Sequence, residues 1–321
     1  MTTAMATATT RKPKYTRFSQ QQLWATRPTL TLKFTAKLTA IVGLVCIALG
    51  ATTLVGVMGL REIRHRYDDD AECAQGFFPT AAEKEAKVSY EGAGTTCEIE
   101  IEAPRSLKGP VYVYYELSNF FQNHRAFVRD LDYYQMAGSK ESTKLCTTHQ
   151  STADGETIKP CGVQAWSYFN DSYAVELNDA AVDIDSSGIA WPSDREYKFG
   201  SYTAENLNTD AATRGGAPID GPVRDDEHFV TWLRTAALSN FRKLWGKIDE
   251  DIPKGTLIRV TIENRYNTYK FDGRKSIVLA ENGWLGGRNL ALPILYFANG
   301  GICIITCIVC LILMKSVKKE D

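Results

Sequence analysis

Two long stretches without a charged residue constrain this chain more than any other feature. Leu38–Leu60 has 23 residues and Leu290–Met314 has 25. Helices of these lengths would reach roughly 34 and 37 Å at about 1.5 Å per residue, and a hydrocarbon core is about 30 Å thick. The sequence therefore predicts transmembrane helices at 38–60 and 290–314. The first stretch is too long for the apolar part of a cleaved signal peptide, so we expect it to remain as an anchor.

The distribution of charge predicts the orientation of the chain. Residues 1–37 contain seven Lys and Arg residues and no Asp or Glu, and residues 315–321 add three lysines. The positive-inside rule predicts that both of these tails are cytosolic and that residues 61–289 are lumenal or extracellular. This middle segment has 27 basic and 36 acidic residues. An acidic domain of this kind argues against a nucleic-acid partner, because phosphate binding requires basic groups.

Cysteine positions and one glycosylation motif agree with an oxidising compartment. Cys73, Cys97, Cys146 and Cys161 all lie in the middle segment, and an even number there suggests two disulfides. Three pairings are possible; we favour the pairing of sequence neighbours, in which each bond closes a short loop and contributes about 3 kcal/mol in the chain-entropy model. Asn170 begins the sequon Asn-Asp-Ser, so it is a predicted N-glycosylation site.

The middle segment predicts one domain built mainly of antiparallel strands. Pro110–Leu117 is β-branched and aromatic, and Thr256–Asn264 alternates apolar with polar residues. Asn267–Phe271 and Arg274–Ala280 flank Asp272-Gly273, a pair favoured in two-residue hairpin turns. These patterns predict two buried strands and a hairpin.

Fewer segments are typical of helices. Glu227–Ile248 places apolar residues at helical spacing and follows Asp225 and Asp226, either of which is a suitable N-cap. We therefore predict a helix over 227–248 that packs against the sheet. Asn119–Tyr134 is a second candidate for a short helix.

The sequence contains few motifs that indicate catalysis or metal binding. It contains no G-x-x-x-x-G-K-[ST] phosphate loop, no H-E-x-x-H zinc helix and no G-x-S-x-G nucleophile elbow. We therefore predict no enzyme activity, no cofactor and no metal. A membrane-anchored glycosidase with Asp183 and Asp185 as paired carboxylates is an alternative, but an acidic run of this kind is more typical of a solvated loop.

Both predicted spans and the C-terminus contain further signals. Ala48, Thr52 and Gly56 recur every four residues, a ladder of small residues that permits close approach of another helix. Asn299 is a polar residue within the second span, and its amide requires a hydrogen-bond partner in lipid. Lys318 and Lys319 match a dilysine signal for retrieval to the endoplasmic reticulum.

Seven segments in a fixed order resemble one known family. They are RFSQQQLWATRPTLT (Arg17–Thr31), REIRHRYDD (Arg61–Asp69), YYELSNFFQNHRAFVRD (Tyr114–Asp130), KPCGVQAWSYFNDSY (Lys159–Tyr173), IAWPSDREYKF (Ile189–Phe199), FVTWLRTAALSNFRKLWGKI (Phe229–Ile248) and ENRYNTYKFDGRKSIVLAENGWLGGRN (Glu263–Asn289). The family is the ligand-effect-modulator family, also called the cell-cycle control protein 50 family. The resemblance covers roughly residues 15–315.

The resemblance implies a fold and a function. Family members are non-catalytic beta subunits of type IV P-type ATPases, which move phospholipids to the cytosolic leaflet. The beta subunit forms a heterodimer with the catalytic subunit, permits its export from the endoplasmic reticulum and supports its transport cycle. The expected fold is an α+β membrane protein with a large, mainly antiparallel, sandwich-like domain and short helices. Endoplasmic reticulum, Golgi, endosomal and plasma membranes are the expected locations.

We expect the partner to contact three regions. These are Phe18, Leu23 and Pro28 in the cytosolic tail; Ala48, Thr52, Gly56 and Asn299 in the membrane; and Asn119, Arg125, Trp284 and Asn289 on the lumenal side.

A trimeric ligand-gated channel is the alternative function, since such channels also have two spans and a disulfide-rich outer domain. Channels of this class usually have more lumenal cysteines and a polar, pore-lining second span.

Overall fold

The computed structural model describes residues 15–25, 30–70, 72–73, 96–138, 145–210, 214–268 and 271–320, except for the side chains of 318–320. The helices are α1 (Leu32–Met58), α2 (Arg125–Arg129), α3 (Tyr133–Met136), α4 (Val163–Trp166), α5 (Pro192–Tyr197), α6 (Glu227–Trp232) and α7 (Ala291–Glu320). The strands are β1 (Glu62–Arg66), β2 (Thr96–Glu102), β3 (Val111–Ser118), β4 (Ser172–Leu177), β5 (Ala180–Val182), β6 (Phe241–Ile248), β7 (Leu257–Glu263) and β8 (Arg274–Glu281). Two compact units result: residues 1–52 with 291–321, and Thr53–Leu290.

The first unit contains most of α1 and all of α7, which are both long and apolar enough to cross a membrane. Each helix exceeds the uncharged stretch that predicts it, because charged residues at the ends of a span do not interrupt its backbone hydrogen bonds. α1 begins six residues before Leu38, where the Thr31 hydroxyl accepts a hydrogen bond from the Phe34 amide at 3.2 Å. That contact satisfies one of the free amides at the start of the helix.

Glycines allow α1 and α7 to approach each other closely. A Cβ atom on Gly300 would lie 2.8 Å from Cγ1 of Ile47 and 3.3 Å from the carbonyl oxygen of Gly43. A Cβ atom on Gly50 would lie 3.2 Å from the Phe297 ring. The contact between the two helices therefore depends on residues without side chains, as is common in lipid.

The second unit is a sandwich of two antiparallel four-stranded sheets, with strand orders β1-β8-β3-β6 and β2-β7-β4-β5. Both sheets contribute to one buried core. Ile258, Val260 and Ile262 of β7 are fully buried, and β3 alternates between buried and partly exposed residues. The expected antiparallel, α+β architecture is confirmed, because alternation along these strands places one face in the core.

Aromatic rings join the two sheets. Tyr115 of β3 stacks on Phe169 with 4.0 Å between ring centroids, and Tyr173 of β4 meets the edge of Trp245 of β6 at 5.2 Å. Such pairs contribute about 0.5–1.5 kcal/mol each beyond the area they bury. They therefore stabilise the distance between the sheets as well as the core.

The helix predicted over 227–248 is wrong in most of its length. Only α6 is helical, and Phe241–Ile248 is the edge strand β6, paired with β3. A bulge leaves Trp245 without a partner residue in β3, and this extra residue converts the period of two into an apparent helical period. Buried Lys243 further masks the alternation, because its ammonium donates to the carbonyl of Thr231 at 2.9 Å instead of facing water.

The hairpin predicted at Asp272-Gly273 is also wrong. β8 begins at Arg274 but lies between β1 and β3, and Asn267 and Thr268 belong to no strand. Asp272 has a φ of 52°, and the Gly273 amide donates to the carbonyl of Thr268 at 2.9 Å. The segment therefore makes a turn that leads the chain into the interior of the sheet.

The second candidate helix, predicted over 119–134, is reduced to the short helices α2 and α3.

A buried ion pair lies where the two sheets meet. The ammonium of Lys275 on β8 donates to Oδ2 of Asp171 at 2.6 Å, and neither side chain is exposed. It also donates to Asn264 and, at 2.7 Å, to the carbonyl oxygen of Tyr266. The Tyr67 hydroxyl donates to the same carboxylate at 2.6 Å. Burial lowers the pKa of Lys275, and the charge of Asp171 opposes that shift.

Removing one member of this pair should destabilise the domain strongly. Lys275→Met leaves the Asp171 carboxylate buried without its counter-ion, so we expect the free energy of unfolding to fall by about 3–5 kcal/mol. Arg274→Gln is the matched control, because Arg274 is exposed on the same strand and should change stability by less than about 0.5 kcal/mol. Thermal unfolding of the full-length protein in detergent measures both variants, and equal unfolding temperatures would contradict a stabilising pair.

Candidate partner-binding surfaces

The described residues contain no group of three or more His, Cys, Asp or Glu side chains that could hold a metal ion. Asp185, one of the two carboxylates considered for a glycosidase, forms an ordinary ion pair with the Lys247 ammonium at 3.0 Å. Hydrogen bonds from Ser187, together with Lys247, lower the pKa of Asp185 to about 2. A carboxyl group with that pKa stays ionised at neutral pH, so it does not suit the general acid of a glycosidase.

Two disulfides stabilise the sandwich. Cys73 bonds to Cys97 and Cys146 bonds to Cys161, which is the pairing of sequence neighbours. The first bond joins the connection after β1 to β2. The amide of Asn264, a neighbour of the buried ion pair, donates to the Cys73 carbonyl at 2.8 Å. The disulfide is thus connected by hydrogen bonds to the buried network.

Asp130 holds the segment that contains the second disulfide. Its carboxylate accepts hydrogen bonds from the amides of Thr148 at 3.1 Å and Val163 at 2.9 Å, and from the amide of Thr147 and the Thr148 hydroxyl. Burial alone would raise the pKa of Asp130, but these hydrogen bonds outweigh it and lower the pKa. A Cβ atom on Gly162, whose φ is 94°, would lie 2.2 Å from the Asp130 carbonyl oxygen, so this close approach requires glycine.

Ala48 and Thr52 lie on a side of α1 that the rest of the chain leaves exposed. Ala48 follows Gly43 by five residues, which places it about 140° around the helix from the glycines that contact α7. Asn299 of α7 is also exposed, and its amide donates to the carbonyl of Leu295 at 3.1 Å. These three positions are therefore available to another helix.

The third residue of the small-residue ladder is already covered. A Cβ atom on Gly56 would lie 3.1 Å from Nε1 of Trp284. Trp284 is at the tip of a tight turn in which Gly283 and Gly286 exchange backbone hydrogen bonds of 2.9 Å, and it remains 77% exposed. Gly56 thus positions a tryptophan that presents most of its surface outward. Asn289, which follows this turn, is exposed.

Ring contacts of Phe120 and a hydrogen bond of Asn119 hold the segment from Asn119 to Arg125 in place. The Phe120 ring meets five other aromatic rings, among them Trp232 at 5.5 Å. Asn119 has a φ of 58°, and its amide donates to the Phe271 carbonyl at 2.5 Å, so its side chain maintains a turn. Arg125, at the start of α2, points into solvent.

Sequence reasoning missed the exposed apolar residues beside this segment. Phe121 is 55% exposed and Leu238 is 71% exposed. The neighbouring Phe120 amide donates to Ser239 at 3.0 Å, which brings the two segments together. Phe120 is partly buried against the core, whereas the adjacent Phe121 points outward; two consecutive phenylalanines in the sequence do not distinguish these roles.

In the N-terminal segment, residues 16–22 form a turn in which Thr16 and Ser19 exchange hydrogen bonds. Phe18, Leu23 and Trp24 are all exposed, Trp24 by 90%. Pro28 lies outside the described residues. α7 continues through residues 318–320, but the side chains of Lys318 and Lys319 are outside the described part as well.

Asn170 lies immediately before the buried Asp171 and is only partly exposed. Its Oδ1 atom is buried without a hydrogen-bond partner. Ser172, the third residue of the sequon, donates to Glu263 at 2.8 Å. The sequon therefore begins at the partly exposed Asn170 and continues into the network between the sheets.

A disulfide-bonded sandwich attached to two apolar helices, with aromatic side chains on its surface, fits a membrane-anchored binding protein. Residues 53–320 match the family model described as LEM3 (ligand-effect modulator 3) family / CDC50 family. The chain belongs to this family.

Individual relatives match almost the whole chain. ALA-interacting subunit 3 of Arabidopsis thaliana is 39% identical over 92% of this chain and 84% of its own length. Cell cycle control protein 50B of Homo sapiens is 31% identical over 97% of this chain and 95% of its own length. Phospholipid-transporting ATPase accessory subunit CRF1 of Saccharomyces cerevisiae is 32% identical over 94% of this chain and 85% of its own length.

The hydrogen bonds to Asp130 generate a prediction about pH. Because the folded-state pKa is lowered, the ionised carboxylate stabilises the protein above the unfolded pKa of about 3.9, and this contribution is lost as pH falls through the folded pKa. Asp130→Asn should therefore lower the free energy of unfolding by about 1.5–3 kcal/mol at neutral pH. The difference from wild type should shrink as the pH approaches about 3.

Thermal unfolding of both proteins across this pH range tests the prediction. Asp154→Asn is the control, because Asp154 is exposed in a nearby turn. A destabilisation by Asp130→Asn that stays constant with pH would show that the charge of Asp130 contributes nothing.

Proposed function

We propose that this chain is the non-catalytic beta subunit of a phospholipid-transporting type IV P-type ATPase. It forms a heterodimer with the catalytic subunit, and the catalytic subunit requires it for folding, export from the endoplasmic reticulum and transport. The observation that carries this proposal is the similarity to the yeast accessory subunit over 94% of the chain. None of the relatives named above is described as a channel, so that alternative has no support.

A subunit without catalytic groups acts through differences in binding. If it binds one conformation of the ATPase more tightly than another, it shifts the populations of the transport cycle by that difference in free energy. A sandwich fixed by disulfides, aromatic pairs and a buried ion pair loses little conformational entropy on binding. More of its contact energy is then available to distinguish the two conformations.

The orientation we propose places the sandwich in the lumen or outside the cell and both termini in the cytosol. Basic residues are concentrated before α1 and after the apolar part of α7, as the positive-inside rule requires. Two disulfides in the sandwich favour an oxidising compartment. Lys318 and Lys319 would then be cytosolic, where they can act as a retrieval signal until the complex assembles in the endoplasmic reticulum for transfer to Golgi, endosomal or plasma membranes.

The partner would contact three sets of residues. In the bilayer these are Ala48, Thr52 and Asn299, which the chain itself leaves exposed, with Gly56 acting through Trp284. On the lumenal side they are Trp284, Asn289 and Arg125, with Phe121 added and Asn119 holding the turn. On the cytosolic side they are Phe18, Leu23 and Pro28.

Purification of the tagged full-length chain in mild detergent, followed by mass spectrometry, tests the function. We expect a large P-type ATPase in about equimolar amount. Recovery should fall about tenfold for the variant Ala48→Leu with Thr52→Leu, because two larger side chains prevent close helix contact and a loss of roughly 1.4 kcal/mol changes binding tenfold.

The matched control is Val42→Leu, an apolar enlargement on another exposed side of α1. It should leave recovery of the ATPase unchanged. Absence of any ATPase with the wild-type chain would refute the proposed function, whereas equal recovery with the double variant would exclude only this face of α1.

We also propose that Asn170 is glycosylated in the lumen. Its partly exposed side chain and the unpaired Oδ1 atom leave the amide without a described structural role. Asn170→Gln should therefore increase the electrophoretic mobility of the protein, and treatment with an N-glycosidase should produce the same shift in wild type but none in the variant. Identical mobility of the two untreated proteins would exclude a glycan at this position.

A further inference from the structure

A basic cavity lies in the second unit beside the end of α1. Its volume is about 320 Å³, and it is lined by Met58, Leu60, Arg61, Glu62, Ile63, Pro104, Arg105, Leu107 and Arg288. This volume is within the range of small-molecule sites, about 300–1,000 Å³. Its charged lining comprises three arginines and one glutamate, so the cavity has an excess of positive charge.

The surrounding residues offset only part of the positive charge of the lining. Glu62 is paired with Arg242 at 3.3 Å. Within the described part of the chain, Arg105 and Arg288 are exposed and form no ion pair. The guanidinium of Arg61 is oriented by Ser106, whose hydroxyl oxygen accepts a hydrogen bond at 2.7 Å.

One nearby carboxylate, that of Glu281, offsets part of this excess. The Glu281 side chain accepts hydrogen bonds from two backbone amides, those of Arg61 at 3.0 Å and Lys108 at 2.8 Å. It therefore positions the backbone around the cavity. Arg105 and Arg288 keep their guanidinium groups available for a ligand.

The cavity is located at the level where an apolar helix ends. Met58 is the last residue of α1, Arg61 follows it by three positions, and Arg288 precedes the start of α7 at Ala291 by three positions. If these helices cross the bilayer, the arginines lie in the headgroup layer, which extends roughly 5–8 Å beyond the hydrocarbon core on each side. Basic residues are disfavoured beside spans on the non-cytosolic side, so three of them around one cavity require an explanation.

We propose that this cavity binds the phosphate of a phospholipid headgroup, with Arg61, Arg105 and Arg288 as its ligands. Guanidinium groups bind phosphate oxygens through paired hydrogen bonds. Met58 and Leu60 supply an apolar wall for the glycerol and the first acyl carbons. The site rests on the proposed membrane orientation, and it assigns lipid binding to the accessory chain itself.

A lipid fits this cavity better than an acidic side chain of a partner protein. The lining combines apolar with cationic residues, which matches a ligand that has a charged head and an apolar tail. An anionic headgroup presents a net negative charge to the arginines, whereas a zwitterionic headgroup also places a cation beside them. Two arginines without ion-pair partners should therefore give a preference for anionic over zwitterionic lipids.

Native mass spectrometry of the full-length chain in detergent tests the proposal. The protein is titrated with phosphatidic acid, phosphatidylserine or phosphatidylcholine, and the fraction carrying one lipid is measured. We expect at least about tenfold tighter retention of the anionic lipids. Arg105→Gln with Arg288→Gln should remove this preference, whereas Arg129→Gln with Arg274→Gln should keep it, because neither of those exposed residues lines the cavity.

Two further measurements separate the outcomes. Competition with inorganic phosphate should displace the anionic lipid only weakly; full displacement by millimolar phosphate would identify a site for free phosphate. Recovery of an ATPase by the cavity variant is measured in parallel. Equal lipid retention by wild type and the cavity variant would overturn the proposal, and loss of the ATPase without loss of lipid would assign the arginines to the protein interface. Unchanged unfolding temperatures establish that the variants are folded.

Discussion

The buried pair of Lys275 and Asp171 connects four segments of the second unit. Asp171 accepts hydrogen bonds from the amides of Arg265 and Tyr266, each at 2.6 Å, in addition to those from Lys275 and the Tyr67 hydroxyl. The segments after β1 and β7 are thus fixed to the start of β4, and β8 is fixed to both. A desolvated charge pair costs free energy to form unless every remaining donor and acceptor is satisfied. The surrounding loops adopt the conformations that satisfy it.

This requirement explains why some elements follow from the sequence and others do not. β7 is confirmed because Ile258, Val260 and Ile262 all face one core, so its period of two is undisturbed. β6 has no such regularity, since the bulge at Trp245 shifts its phase. Lys275 is a second example. A lysine near the start of a strand is expected to be exposed, whereas the Lys275 side chain is completely buried. Long-range partners decide these positions, and sequence spacing contains no information about them.

The candidate surfaces also include some features that the sequence predicts and others that only the folded structure reveals. Composition alone locates the long apolar helices, and Ala48 and Thr52, four residues apart, are both exposed. Gly56 belongs to that spacing, but a tryptophan more than 200 residues later in the chain covers it. Asn119 likewise holds a turn through Phe271, and the exposed aromatic beside it is Phe121. A residue's role on a surface depends on which of its neighbours is buried, and that is decided by tertiary packing.

Rigidity and exposure together determine how a chain without catalytic groups can influence a transporter. The interior of the sandwich is fixed by paired charges, ring contacts and two disulfides, so its surface residues have defined positions before any partner binds. A preorganised surface retains its contact energy for distinguishing conformations of the partner. The basic cavity extends this reasoning to lipid: an arginine positioned by Ser106 needs no reorganisation to bind phosphate. A phosphate bound there would neutralise charges that would otherwise repel one another, and the bound lipid would then favour whichever protein conformation keeps the three guanidinium groups together.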